Sequence, residues 1–327
     1  MTGPTLGLDV AKLKFNACLI NASGKLRHKV FSNDPTGFTQ LLAWLTAHEA
    51  LEVHACMEAT GIYGEALAFH LHAAQVVVSV VNPAAIKAFA GSRLSRTKTD
   101  KVDAELIARF CQLQQPLPWS PPALEVRELQ GLVRRLEALI EMRVAETNRL
   151  EAEVSKGVVR TSIEQHVAYL AEQIRETKKL IQEHLNQHPQ LRRQSQLLQS
   201  IPGIAATTAA MLLAEMTDIT RFASARQVAA FAGLVPRERI PGSSVRGRTR
   251  LSKIGNARLR KGLYFPAITA LRCSPFFQAW AKGLRERGKC KMSVIGAAMR
   301  KLLHLVYGVL KNDQPFDPEW AAREQNA

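Results

Sequence analysis

Thr5-Leu-Gly-Leu-Asp-Val10, Phe15-Asn-Ala-Cys-Leu-Ile20 and Lys25-Leu-Arg-His-Lys-Val-Phe31 are the three short segments whose reading decides the fold. The first two are apolar and joined by a polar link carrying Lys12 and Lys14, and Asn21-Ala-Ser-Gly24 supplies turn residues before the third. Short strand-forming runs separated by turn chemistry read as a three-strand meander. Working outward, Phe38, Leu41, Leu42 and Leu45 recur at helical spacing, residues 52–57 read as a strand, residues 65–73 as a helix, and Val76-Val-Val-Ser-Val-Val81 as a strand ended by Asn82-Pro83. A short helix at 84–90 and a polar loop at 91–98 lead to one more helix. The predicted order is β-β-β-α-β-α-β-α-α. It makes a mixed sheet flanked by helices, and the strand ends form a natural crevice.

That last helix opens with Thr99-Asp-Lys-Val-Asp103. Thr99 is the expected N-cap, and Asp100 and Asp103, three residues apart, share one face of the first turn, where the helix dipole favours negative charge. Acids are common at helix starts, so this pair carries chemistry only if other carboxylates join it. Asp9 ends the first strand and Glu58 ends the fourth, immediately before Ala59-Thr-Gly-Ile-Tyr63. Each follows apolar strand residues, where an acid is costly unless paired or bound to metal. Four carboxylates in one crevice repel one another unless cations intervene. Two divalent ions would satisfy them, in the arrangement that serves in-line phosphoryl transfer.

Charge divides the chain differently. The formal net charge is +16, with a pI of about 10.0, which points to a polyanionic partner. Residues 1–120 carry 11 Lys/Arg against 9 Asp/Glu, residues 121–200 carry 12 against 11, and residues 201–327 carry 21 against 8. The last third is therefore the expected nucleic-acid platform. Cys18, Cys56, Cys111, Cys273 and Cys290 are scattered without paired spacing, which argues against a zinc site or a disulfide framework. No signal-peptide pattern opens the chain and no apolar run approaches ~18 residues, so a cytoplasmic protein without a membrane span is expected.

After Pro116, Pro118, Pro121 and Pro122 the pattern changes to two long helices. Leu129, Leu132, Leu136 and Leu139 repeat at heptad-like spacing before Arg143 and Glu146 interrupt the seam, and Ile163, Val167, Leu170, Ile174, Thr177 and Ile181 repeat in the second helix. Thr161-Ser-Ile-Glu164 reads as a capping box for that second helix. The region of Gly157 is the expected loop of an antiparallel hairpin, and its exposed seam suggests self-association. Ser200-Ile-Pro-Gly-Ile204 resembles the turn of a helix-hairpin-helix or a plain helix start. Residues 236–261 then hold nine basic residues against one acid. Of these, Arg237, Arg246, Arg248, Arg250, Lys253, Arg258, Arg260 and Lys261 are candidate phosphate ligands. Ser243 and Ser244, beside Gly242, are open to three readings: turn residue, phosphate contact or activated nucleophile. A second basic block spans 282–301, preceded by Phe276, Phe277 and Trp280, whose spacing fits a buried helix face better than base stacking. Residues 295–310 read as a long amphipathic helix.

Gly7-Leu-Asp9, Met57-Glu-Ala-Thr-Gly61, Asn82-Pro83 and Lys98-Thr-Asp-Lys-Val-Asp-Ala104 resemble the DEDD transposases, the family of pilin-gene DNA invertases and of insertion-sequence transposases that use a bridge RNA. The resemblance implies a ribonuclease H-like (RuvC-like) domain whose Asp9, Glu58, Asp100 and Asp103 bind Mg2+ or Mn2+. Phe231-Ala-Gly-Leu234, Gly242, Lys253-Ile-Gly-Asn256 and Leu259-Arg260 resemble the family's second domain, in which a serine directly before the glycine matched by Gly242 becomes joined to DNA. Pro241 stands there, so Ser243 or Ser244 takes the role or this copy is impaired in strand exchange. The implied organisation is an α/β plus α chain. A ribonuclease H-like domain spans 1–120, a helical hairpin or coiled-coil arm 121–190, a basic, mainly helical transposase domain 191–315 and a tail 316–327. The implied partners are donor DNA, target DNA, a guide RNA and further copies of the chain as a homodimer or homotetramer, acting in the bacterial cytoplasm at the nucleoid. A junction or plain DNA nuclease and a catalytically impaired nucleic-acid-binding relative are the alternative readings.

Overall fold

The computed structural model describes residues 3–59, 62–92, 99–153, 157–237 and 250–319. The chain forms two compact units, Met1–Pro121 and Pro122–Ala327, each with its own hydrophobic core.

In the first unit, β1 (Thr5–Val10), β2 (Lys14–Ile20) and β3 (Leu26–Ser32) pair as the expected antiparallel meander. Helix α1 (Pro35–Thr46) starts where the Asp34 side chain accepts the Gly37 N–H at 2.8 Å. Strand β4 (His54–Glu58) then pairs parallel to β1, and after helix α2 (Glu65–Ala73) strand β5 (Val77–Val81) pairs parallel to β4. The five strands lie in the order β3-β2-β1-β4-β5. Helices α3 (Pro83–Ser92) and α4 (Asp100–Gln114) complete the unit.

Alternation along the strands sorts these helices into layers. Leu6 and Leu8 of β1 and Ala55 and Met57 of β4 share a core with Phe38 and Leu41 of α1 and Leu67 and Leu71 of α2. Cys56 faces the other way, into a cluster with Ile86 of α3 and Ile107, Phe110 and Cys111 of α4. Cys18 and Ile20 of β2 meet Ala104 and Ala108 of α4 on that same side. The result is a three-layer, ribonuclease H-like unit with α1 and α2 on one face of a mixed sheet and α3 and α4 on the other. Gly7 fixes how closely α4 approaches, since a Cβ there would lie 2.1 Å from the Ala104 carbonyl oxygen and 2.3 Å from the Ala108 nitrogen.

The second unit opens with α5 (Leu124–Ala152) and α6 (Val158–Gln187), which pack as the expected hairpin. Burial runs only to Leu139 on α5 and begins at Leu170 on α6, so the distal turns pack thinly. The capping box expected at Thr161 is corrected. The helix begins at Val158, with Gly157 as its N-cap, and Glu164 pairs with Arg160 at 3.0 Å. The Thr161 N–H that a capping box would leave for Glu164 donates instead to the Gly157 carbonyl at 3.3 Å, inside the helix.

The hairpin shares one core with α7 (Pro189–Gln199), α8 (Ala206–Met216) and α9 (Ala225–Phe231). The same core includes α10 (Ala257–Gly262), α11 (Tyr264–Cys273), α12 (Pro275–Glu286) and α13 (Lys291–Asn312). Between α9 and α10 lies a two-strand ribbon of β6 (Pro236–Arg237) and β7 (Arg250–Leu251). Phe277 is fully buried while Phe276 and Trp280 pack on the core edge, as the core reading of these aromatics requires. No uninterrupted apolar run approaches ~18 residues, because Arg300 and Lys301 divide the longest apolar helix. That helix, Lys291–Asn312, qualifies as a membrane span by length and composition, yet more than half of it is buried inside the unit. Its Ile295, Ala298, Met299, Leu302, Leu303 and Val306 belong to the shared core, so its apolar content reflects a central core helix.

Candidate active site and nucleic-acid surface

The sheet register locates the acids. The last registered pair between β1 and β4 is Leu8 with Met57, and Asp9 and Glu58 are the next residue on each strand. Leu8 and Met57 point into the α1–α2 core, so Asp9 and Glu58 point to the α4 side. Helix α4 runs antiparallel to β1 across that face. Its first residue, Asp100, reaches Lys14 beside the C-terminal end of β1 at 3.8 Å, its middle turn passes over Gly7, and the Cys111 thiol donates to the His54 carbonyl at 3.4 Å where β4 begins. The N-terminal turn of α4 is therefore delivered to the strand ends that carry Asp9 and Glu58.

Local sequence secures this placement. Thr99 has the extended backbone of an N-cap and accepts the Val102 N–H at 3.3 Å, leaving Asp100 exposed and Asp103 half-buried in the first turn. Asn33 fastens the adjoining rim by donating to the carbonyls of Ala11 at 2.9 Å and Tyr63 at 3.0 Å. Ala59 donates its N–H to the Val81 carbonyl at 2.8 Å, which extends the sheet one residue past Glu58. Carboxylates at this sheet end offer oxygen donors, the kind that a hard divalent cation takes. Among the described residues no three of these acids have their oxygens mutually within 4.8 Å, so coordination by several of them requires the side chains to close on the ion.

The second unit brings the other family-like motifs together. Asn256 donates its N–H to the Phe231 carbonyl at 2.6 Å, Lys253 donates to Gly233 at 3.1 Å and Ser252 to Val235 at 2.9 Å. Gly255 is needed at this clasp because it has φ +137° and its absent Cβ would sit 2.3 Å from the Phe231 carbonyl. The clasp and the ribbon hold together the two flanks of the segment 238–249. Pro241, Gly242, Ser243, Ser244, Arg246 and Arg248 lie outside the described residues.

The remaining cations divide into two sets. Lys261 pairs with Glu137 at 3.2 Å and Glu141 at 2.5 Å, Arg258 with Glu137 at 3.5 Å and Glu215 at 3.9 Å, and Arg260 donates to the Ala232 carbonyl at 3.0 Å. These three are engaged in holding α10 against α5, α8 and α9. Arg250 and Lys253, by contrast, line a cavity of about 1240 Å³ together with Lys289, Arg300, Lys301 and Lys311, with no acid among the described residues that line it. Arg237 is exposed on the ribbon beside Arg250. Lys301 lies 4.9 Å from the Phe276 ring centre and 5.3 Å from that of Trp280, and burial pushes its ammonium down to about 8. His304, with a buried Nε2 that has no hydrogen-bond partner among the described residues, is held below its usual range by burial and by Arg300, Lys301 and Arg226. Sequence reading noticed the second basic block but missed this cavity. The available signal was the spacing of Arg300, Lys301, His304 and Lys311 at helical intervals.

A ribonuclease H-like sheet with carboxylates gathered at its strand ends defines a class of metal-dependent phosphoryl-transfer enzymes. Residues 6–156 match the DEDD transposase family of IS110 type, and residues 195–282 match the transposase family IS116/IS110/IS902. The chain is 34% identical over 320 residues to the pilin gene-inverting protein of Moraxella bovis, covering 97% of this chain and 98% of that protein. It is 27% identical over 287 residues to the transposase for insertion sequence element IS1328 of Yersinia enterocolitica, covering 78% of this chain and 80% of that one. The solved structure of RuvC from Thermus thermophilus overlaps 36% of this chain and 99% of its own, at TM-score 0.26 and 12% identity. The chain belongs to the family of IS110-type DEDD transposases and pilin gene-inverting DNA recombinases.

Proposed function

We propose that this chain recombines DNA at defined sites, cutting and rejoining strands with divalent metal held by Asp9, Glu58, Asp100 and Asp103. The observation that carries the reading is the delivery of the first turn of α4 to the ends of β1 and β4. Magnesium, or manganese in its place, suits the all-oxygen donor set. When bound, the metal supplies charge stabilisation to the attacking and leaving oxygens. The carboxylates hold it, and Thr99 and Asn33 keep their backbones in place.

The nucleophile is a serine hydroxyl, Ser243 or Ser244, whose oxygen bonds to phosphorus as a deoxyribose oxygen leaves. Pro241 occupies the family position and has no hydroxyl, while the stem formed by β6 and β7 brings the segment's two flanks together. Trapping covalent protein–DNA product tests this with Ser243→Ala, Ser244→Ala and Pro241→Ser. Loss in one alanine variant identifies the nucleophile. Product appearing only with Pro241→Ser overturns the assignment and marks this copy as a binder that does not exchange strands.

Donor DNA, target DNA and a guide RNA are the partners, and base pairing supplies site choice. The basic cavity lined by Arg250, Lys253, Arg300 and Lys301, with no acid among its described lining residues, supports a phosphate-tracking surface. Sequencing RNA that co-purifies with the chain, then repeating recombination with RNA-free protein, tests the guide; site-specific recombination without RNA overturns it. Homodimers or homotetramers are favoured by Met142, Val144 and Val158, apolar residues exposed toward the thinly packed end of the α5–α6 hairpin. The proposed place of action is the bacterial cytoplasm, at the nucleoid.

A further inference from the structure

Glu128 on α5, His184 on α6 and His188 at the corner between α6 and α7 place a carboxylate oxygen and two imidazole nitrogens within 4.8 Å of one another. His184 is buried, and its Nε2 lies 2.7 Å from the Glu125 carbonyl oxygen. A carbonyl can only accept, so Nε2 carries the hydrogen, and Nδ1 of the neutral ring is then a bare lone pair. That lone pair faces a Glu128 carboxylate oxygen at 3.7 Å. Two acceptors facing each other repel unless a cation lies between them.

A proton is one such cation, but it leaves the third donor without a role. His188 stands four residues after His184, their rings 4.6 Å apart, and its side chain makes no capping bond as the N-cap of α7. Two imidazoles and a carboxylate are a donor set for a zinc-like ion. The backbone carbonyl on the far nitrogen of His184 is the outer support that fixes a ligating histidine's tautomer and orientation. Bonds of about 2.0 Å in a tetrahedral site put neighbouring donors roughly 3.3 Å apart, close to the spacing seen between His184 and Glu128.

We propose that Glu128, His184 and His188 bind a divalent transition-metal ion of zinc's class, stapling the hairpin to the start of α7. This site is cysteine-free and softer than the all-oxygen set on the first unit. It calls for no part in strand cleavage. Its effect is on the second unit, where α7 leads into the turn before α8.

The test uses the full-length protein, stripped with chelator and titrated with zinc in a Cys273→Ser/Cys290→Ser background that removes the exposed thiols. Equilibrium dialysis with elemental analysis is expected to give one zinc per chain that depends on these residues. Thermal unfolding should shift upward by roughly 5 °C when free zinc exceeds its dissociation constant ~100-fold. Glu128→Gln, which preserves shape, and His188→Ala should each weaken zinc binding about tenfold or more. Cobalt should give visible absorption that His188→Ala removes. Asp100→Asn should leave the zinc response intact, which keeps this result separable from the proposed DNA chemistry. Zinc binding unchanged in both Glu128→Gln and His188→Ala overturns the proposal, as does a midpoint that responds to pH but never to zinc.

Discussion

The acid end of the first unit and the basic cavity of the second organise charge by opposite means. Asp9, Glu58, Asp100 and Asp103 are brought to one sheet end by backbone geometry, through strand register and the close approach of α4 at Gly7. In the cavity, Arg250 of β7, Lys253 and Lys289 of the loops after β7 and α12, and Arg300, Lys301 and Lys311 of α13 surround a space with no acid among its described lining residues, and Lys301 sits on aromatic rings with its ammonium held down by burial. Concentrated like charge needs a bound counter-ion in the first case and a polyanion in the second. The acids should accordingly control reaction, and the cavity should control binding.

The strongest way to break that contrast is to neutralise one acid. Asp9→Asn, Glu58→Gln or Asp100→Asn is expected to lower DNA strand processing in magnesium by roughly a thousandfold, while nucleic-acid affinity measured by filter binding changes by less than about twofold. Full recombination by Asp100→Asn would remove that residue from the site.

Gly7→Ala sharpens the backbone side of the comparison. A methyl group there meets backbone atoms of α4 that cannot rotate away, so a destabilisation of about 3 kcal/mol is expected for the first unit. Hydrogen exchange at β1 and β4 amides should speed up, and amides of α13 should be unaffected. A change confined to α13 would contradict the layer arrangement.

Removing the α4 cap is a smaller version of the same test. Thr99→Ala is expected to cost about 1 kcal/mol and to loosen the first turn bearing Asp100 and Asp103. The activity lost should recover in Thr99→Ser, which keeps the capping oxygen.

The smallest effect expected is in the cavity. Lys301 is charged below about 8, so its contribution to phosphate binding should fade as pH rises through that value, by a few-fold in affinity at low salt. Lys301→Arg should flatten this dependence, because a guanidinium stays charged. Stability should move the opposite way. The folded value lies below the unfolded one of about 10.4, so the unfolded chain holds the extra proton between the two, and stability rises with pH through that window. Salt titration with Arg300→Ala should also reduce the slope of log affinity against log salt by about one.

Much of this was readable along the chain because it is local. The meander, the helix at 65–73, the Thr99 cap and the placing of all four acids at element ends depend on neighbours within a few residues. Thr161 misled because capping boxes are also local signals: the helix already runs from Val158, the Thr161 N–H donates to the Gly157 carbonyl, and Glu164 pairs with Arg160.

By itself the sequence determined the order of elements, the four acids and the concentration of positive charge in the last third, since periodicity, turn chemistry and composition are written residue by residue. Only the tertiary structure decided that α4 crosses β1 antiparallel at Gly7, and so delivers Asp100 and Asp103 to the strand ends rather than away from them. It also decided that Arg258, Arg260 and Lys261 are spent on internal partners while Arg250, Lys253 and Lys301 face an open cavity, and that Glu128 meets His184 from another helix. The reason is common to all three. A side chain's partner is set by which elements pack together, and that packing is fixed by contacts between residues tens of positions apart, which no local pattern records.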